Sequence, residues 1–99
     1  METTFTFRNL EATDGLRDHA LEKLKKLDKY LVKPVGAHVI FHVERFEHVA
    51  EITLATNGGR FVGHERSADM YTSIDAAVDK LLKQLKRDRE RHKHHSVGC

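Results

Sequence analysis

Thr4, Phe5, Thr6, Phe7 and Arg8 alternate polar and apolar side chains. Such period-2 patterning is that of a half-buried strand and predicts a first strand over residues 3–10. The period then changes. Leu16, Ala20, Leu24, Leu27 and Leu31 recur at intervals of three and four, which gathers them on one helical face. Thr13 and Asp14 precede this stripe. A threonine oxygen can accept from a free first-turn amide, and a carboxylate suits the positive end of the helix dipole. These signals predict a helix from about 14 to 31. Pro34 cannot continue it and biases Lys33 out of helical geometry.

Alternation returns with Val39, Phe41 and Val43 set between His38, Ile40, His42 and Glu44, a second strand. Glu47 to Thr56 reads as a third, carrying Val49, Ala50, Ile52 and Leu54. Asn57-Gly58-Gly59 then supplies residues that tolerate positive φ, which a tight primed hairpin turn demands, and Arg60 to Glu65 becomes a fourth strand. Asp69 is a good N-cap for a last helix whose apolar stripe is Ile74, Val78, Leu81 and Leu85, with Ala77 and Leu82 at its margins. Apolar periodicity stops near Arg89. Residues 1–91 are therefore expected to form one domain, and 92–99 a flexible, His-rich tail. The order β-α-β-β-β-α predicts an α+β fold: a four-stranded sheet with two helices packed on one face. The helix between strands one and two allows them to be parallel neighbours. The arrangement resembles a double-stranded RNA-binding domain.

Length and composition narrow the classes. Ninety-nine residues leave room for one core. No stretch approaches the roughly 18 apolar residues of a membrane span, and the N-terminus has no cationic segment followed by an apolar one. Cys99 is the single cysteine, so an intramolecular disulfide is impossible and a reducing, cytoplasmic setting is expected.

Charge changes the picture more. The net charge is only +2, but its distribution is uneven. Seven cations face two anions between Lys80 and His95, and six face three between Leu16 and Lys33, so the rest of the chain is acidic. Segregation of this kind steers a polyanion to one face. In the last helix Lys80, Lys83, Arg87 and Arg91 fall within an arc of roughly 80°, away from the leucine stripe, and form a cationic rail. Phosphates along a nucleic-acid strand present a matching row of charge. A merely solvated face would interleave Glu for ion pairing, and this arc has none. Lys25, Lys26 and Lys29 of the first helix share their surface with Asp18, Glu22 and Asp28, and exposed ion pairs account for much of that pattern. Lys23 and Lys26 gain weight if the two helices lie side by side.

Catalytic and metal chemistry find little support. His38 and His42 share one side of a strand but stand roughly 13 Å apart, too far to share one metal. His92, His94 and His95 do not make a fixed four-ligand site. No Gly-rich phosphate loop is present, Cys99 lacks a fixed neighbourhood for a nucleophile, and Ser67 and Ser73 have no nearby His in a recognisable pattern. Phe5, Phe7, Phe41 and Phe61 point inward by alternation, leaving Tyr30 and Tyr71 as candidates for partial exposure. Recognition of RNA by charge and shape is therefore expected over base stacking. No enzyme activity, cofactor, metal or small-molecule substrate is expected.

Asp69-Met70-Tyr71-Thr72-Ser73-Ile74-Asp75, followed by Asp79-Lys80-Leu81 and Gln84-Leu85, resembles the signature of the ribosome hibernation-promoting factor family, which includes the ribosome-associated inhibitor protein Y. Ala12-Thr13, Leu16-Arg17 and Lys26-Leu27 before Tyr30 are similar to its first helix, and Asn57-Gly58-Gly59 to its hairpin. The resemblance covers essentially the whole chain. It implies the same β-α-β-β-β-α order, and binding to the small ribosomal subunit and its rRNA, in the channel for mRNA and tRNA, with translation blocked in starved or stressed cells. The family's basic positions fall on Lys23, Lys26, Lys80, Lys83, Arg87 and Arg91. Lys83 stands where relatives commonly carry Arg, which keeps the charge and loses bidentate geometry. Asp69-Met70-Tyr71 reads first as a cap and helix-start packing. Long members carry a second, dimerising domain, which is not expected here, and the segment Arg89 to His95 is basic where protein Y is acidic. Both features resemble the short form. A general double-stranded RNA-binding module remains the alternative.

Overall fold

The computed structural model describes the backbone of residues 1–97 and the side chains of residues 1–90. β1 spans Glu2–Arg8, α1 Asp14–Leu24, β2 Gly36–Glu44, β3 Glu47–Thr56, β4 Gly59–Ser67 and α2 Met70–Val97. The strands make one mixed sheet in the order β1-β2-β3-β4. β1 runs parallel to β2, with Phe5 beside Val39 and Phe7 beside Phe41, while the β2–β3 and β3–β4 pairs are antiparallel. The expected architecture is thus the observed one. Arg91 and the expected tail over 92–99 fall outside the described side chains.

Strand register explains the core. Ala37, Val39 and Phe41 pair with Leu54, Ile52 and Ala50, so one face of the two central strands is continuously apolar, and all six residues are buried. Leu16, Ala20 and Leu24 of α1 and Ile74, Ala77, Val78, Leu81 and Leu85 of α2 close over that face. Phe5, Phe7 and Phe61 are partly buried against the same cluster. Both caps form as expected: the Leu16 amide donates to Thr13 Oγ1 at 3.2 Å, and the Thr72 amide to Asp69 Oδ2 at 3.1 Å. Ser73 latches α2 to the sheet. Its buried hydroxyl lies 2.6 Å from both the His48 carbonyl and the Ser67 hydroxyl, which gives both serines a structural part.

Three local expectations are corrected. The first strand ends at Arg8, not at residue 10, because Asn9 adopts φ +62° and leaves extended geometry. The first helix does not reach 31 as an α-helix: Lys25–Tyr30 tightens into a 3₁₀ turn. Residues three apart eclipse in a 3₁₀ turn, so Leu24 and Leu27 stay stacked over the core, both buried. The Asn57-Gly58 hairpin forms, but the positive φ (+140°) falls on Gly59 and not on the two turn residues. Thr56 Oγ1 takes over part of the turn's hydrogen bonding, accepting from the Gly58 amide and donating to the Gly59 carbonyl, each at 3.0 Å.

α2 approaches β4 closely because position 63 has no side chain. A Cβ on Gly63 would stand 2.4 Å from the Ala77 carbonyl oxygen and 3.0 Å from Leu81 Cγ, distances at which helix and strand must separate. Gly63→Ala is therefore expected to lower the melting temperature by several degrees and to weaken the site that the two elements share. A melt equal to the parent's would contradict this packing.

Candidate nucleic-acid interface

The described cations of the rail, Lys80, Lys83 and Arg87, lie over the sheet edge made by β4. Lys80, Lys83 and Arg87 are exposed, and with Val62 and His64 they line a groove of about 500 Å³ between α2 and β4. In an edge strand, half of the backbone groups have no strand partner. α2 meets two of them with side chains. Gln84 Nε2 donates to the Val62 carbonyl at 2.7 Å, and Lys80 Nζ to the His64 carbonyl at 3.5 Å. Lys80 is therefore held against the strand rather than projecting freely into water.

The cations differ in their freedom. Lys80 Nζ sits 2.8 Å from Glu65 Oε1. That hydrogen bond holds the Glu65 carboxyl below its ordinary value of 4.5, so the pair stands at neutral pH and is lost as pH falls through the lowered value. Lys83 and Arg87 have no ion pair among the described residues. Lys23 lies 3.7 Å from Asp75 of α2, the same carboxylate that meets His19 Nε2 at 2.7 Å, with Tyr71 edge-on to His19 at 4.9 Å. Lys26 is exposed. The two basic helices do lie side by side, joined by Asp75. Lys23 lies at the seam between them, and Lys80, Lys83 and Arg87 at the β4 edge, so the five described cations do not form one cluster.

Sequence reasoning missed Glu65, Asp75 and Gln84. For Glu65 a signal existed: alternation with Phe61 and Gly63 puts a charge at an inward-facing position, which calls for a partner. Asp75 and Gln84 stand in the segments that carry the family resemblance, but no local pattern gave their partners, His19 and Lys23 for Asp75 and the Val62 carbonyl for Gln84. The expected partial exposure of Tyr30 and Tyr71 is observed. Tyr71 is 43% exposed, and the Tyr30 ring has Lys29 and Arg89 over it at 5.3 and 5.6 Å. Phe46, in the two-residue turn between β2 and β3, is 92% exposed.

Comparison with known proteins adds a family to this geometry. Residues 3–93 match the family described as Sigma 54 modulation protein / S30EA ribosomal protein. The chain belongs to that family. It is 35% identical over 95 residues to the ribosome hibernation promoting factor of Salmonella typhimurium, covering 96% of this chain and all of the relative. It is 37% identical over 91 residues to the factor of the same name from Pseudomonas putida, covering 92% and 89%. Among solved structures, the N-terminal domain of Thermus thermophilus protein Y superposes with a TM-score of 0.80 at 38% identity, over 88% of this chain and 98% of that one. A ribosomal subunit interface protein from Coxiella burnetii, 22% identical, shares the fold with a TM-score of 0.78 over 91% and 99%. The resemblance read from the Asp69–Asp75 and Asp79–Leu85 segments is thereby placed in a family.

Proposed function

We propose that this protein is a ribosome hibernation factor: it binds the small ribosomal subunit and its rRNA, in the mRNA–tRNA channel, through its paired basic helices, and so silences translation under stress. The family and the names of its relatives support ribosome hibernation. One observation carries the site assignment: Lys83 and Arg87 stand exposed, with no ion pair among the described residues, beside the ordered Lys80, along a groove. Such a groove suits a phosphate backbone recognised by charge and shape. The action is occupation of the channel, with no chemical step. A cytoplasmic location follows from the ribosomal partner. Among the described residues no helix is long and apolar enough to cross a membrane.

Sedimentation of the purified protein with ribosomes, in the presence of free duplex RNA, tests this reading. Co-sedimentation that resists the competitor is expected. Efficient competition by duplex would favour a general RNA-binding module. Salt supplies the second measurement. Six phosphate contacts imply a slope of log affinity on log salt of roughly −4 to −5. If Lys23 and Lys80 keep their carboxylates, four contacts remain and the slope is nearer −3. A flat response would replace phosphate recognition with a protein–protein interface.

A further inference from the structure

A second surface lies at the opposite edge of the sheet. β1 is the terminal strand there, and α1 stands over it across a cleft of about 680 Å³. The floor is apolar: Met1, Leu21 and the buried Leu24, with Met1 45% and Leu21 38% exposed. The rim is acidic. Asp18, Glu22 and Asp28 surround the opening, against one cationic side chain, Lys25. Asp18 and Glu22 have no ion pair among the described residues, while Asp28 meets Lys33 at 3.8 Å.

The strand beside the cleft offers backbone groups. The Glu2 amide donates to the Val35 carbonyl at 3.1 Å, which turns the amides of even-numbered β1 residues toward β2. In a parallel ladder the residues between them face the other way, so Thr3 and Phe5 present their N–H and C=O groups to the open edge. Thr3 also lines the cleft, and its buried hydroxyl has no hydrogen-bond partner.

We infer that this cleft and the β1 edge bind an extended, lysine- or arginine-bearing peptide segment of a partner protein. The segment would add to β1 as a further strand, set an apolar side chain on Leu21 and Met1, and carry its cations to Asp18 and Glu22. An unpaired edge supplies main-chain bonds and a neighbouring pocket supplies selectivity. The sign of the charge decides against nucleic acid, because a phosphate chain entering here would meet carboxylates. The cleft lies three strand spacings, roughly 14 Å, from the β4 groove. RNA on the rail and a peptide on β1 can therefore be held together. This inference does not depend on the ribosomal reading.

The test is a titration of the isotope-labelled full chain with an acetylated, amidated hexapeptide of alternating Lys and Val, followed by amide NMR shifts. Shifts are expected at Thr3, Phe5 and Leu21, and not along α2. A peptide with Ser in place of Lys is expected to bind at least tenfold more weakly. The double variant Asp18→Asn/Glu22→Gln, at exposed positions, is expected to lose at least tenfold with an unchanged melt. Shifts elsewhere, no binding at millimolar peptide, or equal affinity in the double variant would each overturn the proposal. Ribosome co-sedimentation of the double variant is expected to match the parent, which keeps this result separate from the RNA reading.

Discussion

Replacing Lys80, Lys83 and Arg87 together with Gln is expected to weaken ribosome binding by on the order of 100-fold or more at physiological salt. Each cation that loses a phosphate also loses the release of that phosphate's counterions, so the salt slope should become shallower by two to three units. The larger share should come from Lys83 and Arg87. Lys80 is already paired with Glu65 at 2.8 Å, so its charge is partly spent inside the fold. Gln retains most of the helix propensity, and all three positions are exposed, so the melt should barely move. Arg8, Arg45 and Arg60, also exposed, make the matching control when changed to Gln. That variant removes equal charge from the sheet and its hairpin and should bind nearly as the parent does. Equal loss in both triple variants would reduce the effect to net charge, and survival of binding in the helix variant would move the site elsewhere.

Leu81→Ala should cost about 2–5 kcal/mol of stability, and Leu24→Ala a similar amount. Leu81 is 0% exposed and Leu24 1%. Both belong to the core cluster that the helices close over the sheet. The Leu81 side chain also abuts the site of Gly63, where α2 already approaches β4 as closely as a backbone allows, so the space left by truncation cannot be filled by further approach of the helix. A domain of this size has about 5–15 kcal/mol in all, so either change removes a large fraction. Denaturant unfolding that leaves both variants within about 0.5 kcal/mol of the parent would show that the helix faces are wrongly assigned.

The element order, the β3–β4 hairpin and the buried faces of both helices were legible in the sequence, because each rests on a local period or turn signal. Val39, Phe41, Ile52 and Leu54 declare their side of a strand every second residue, and Leu24 and Leu81 declare a helical face every third or fourth. The N-caps Thr13 and Asp69 were legible for the same reason: a cap acts within three residues of itself. The exposed arc of Lys80, Lys83 and Arg87 was legible too, since one helix generates it. Tertiary structure alone decided which strand edge the rail faces, and which cations remain free. Glu65 and Lys80 are fifteen residues apart, and Asp75 and Lys23 fifty-two. Such ion pairs are set by how α2 lies on β4 and how α1 lies against α2, and no local pattern records that. The tightening of Lys25–Tyr30 and the displacement of positive φ to Gly59 were likewise settled by fit to the sheet, since α and 3₁₀ turns differ little in local energy and the core selects between them. The cleft beside β1 belongs to this second class. Met1, Thr3, Asp18 and Leu21 have no shared period, and become one surface only because a helix spans the gap above a strand with no outer neighbour.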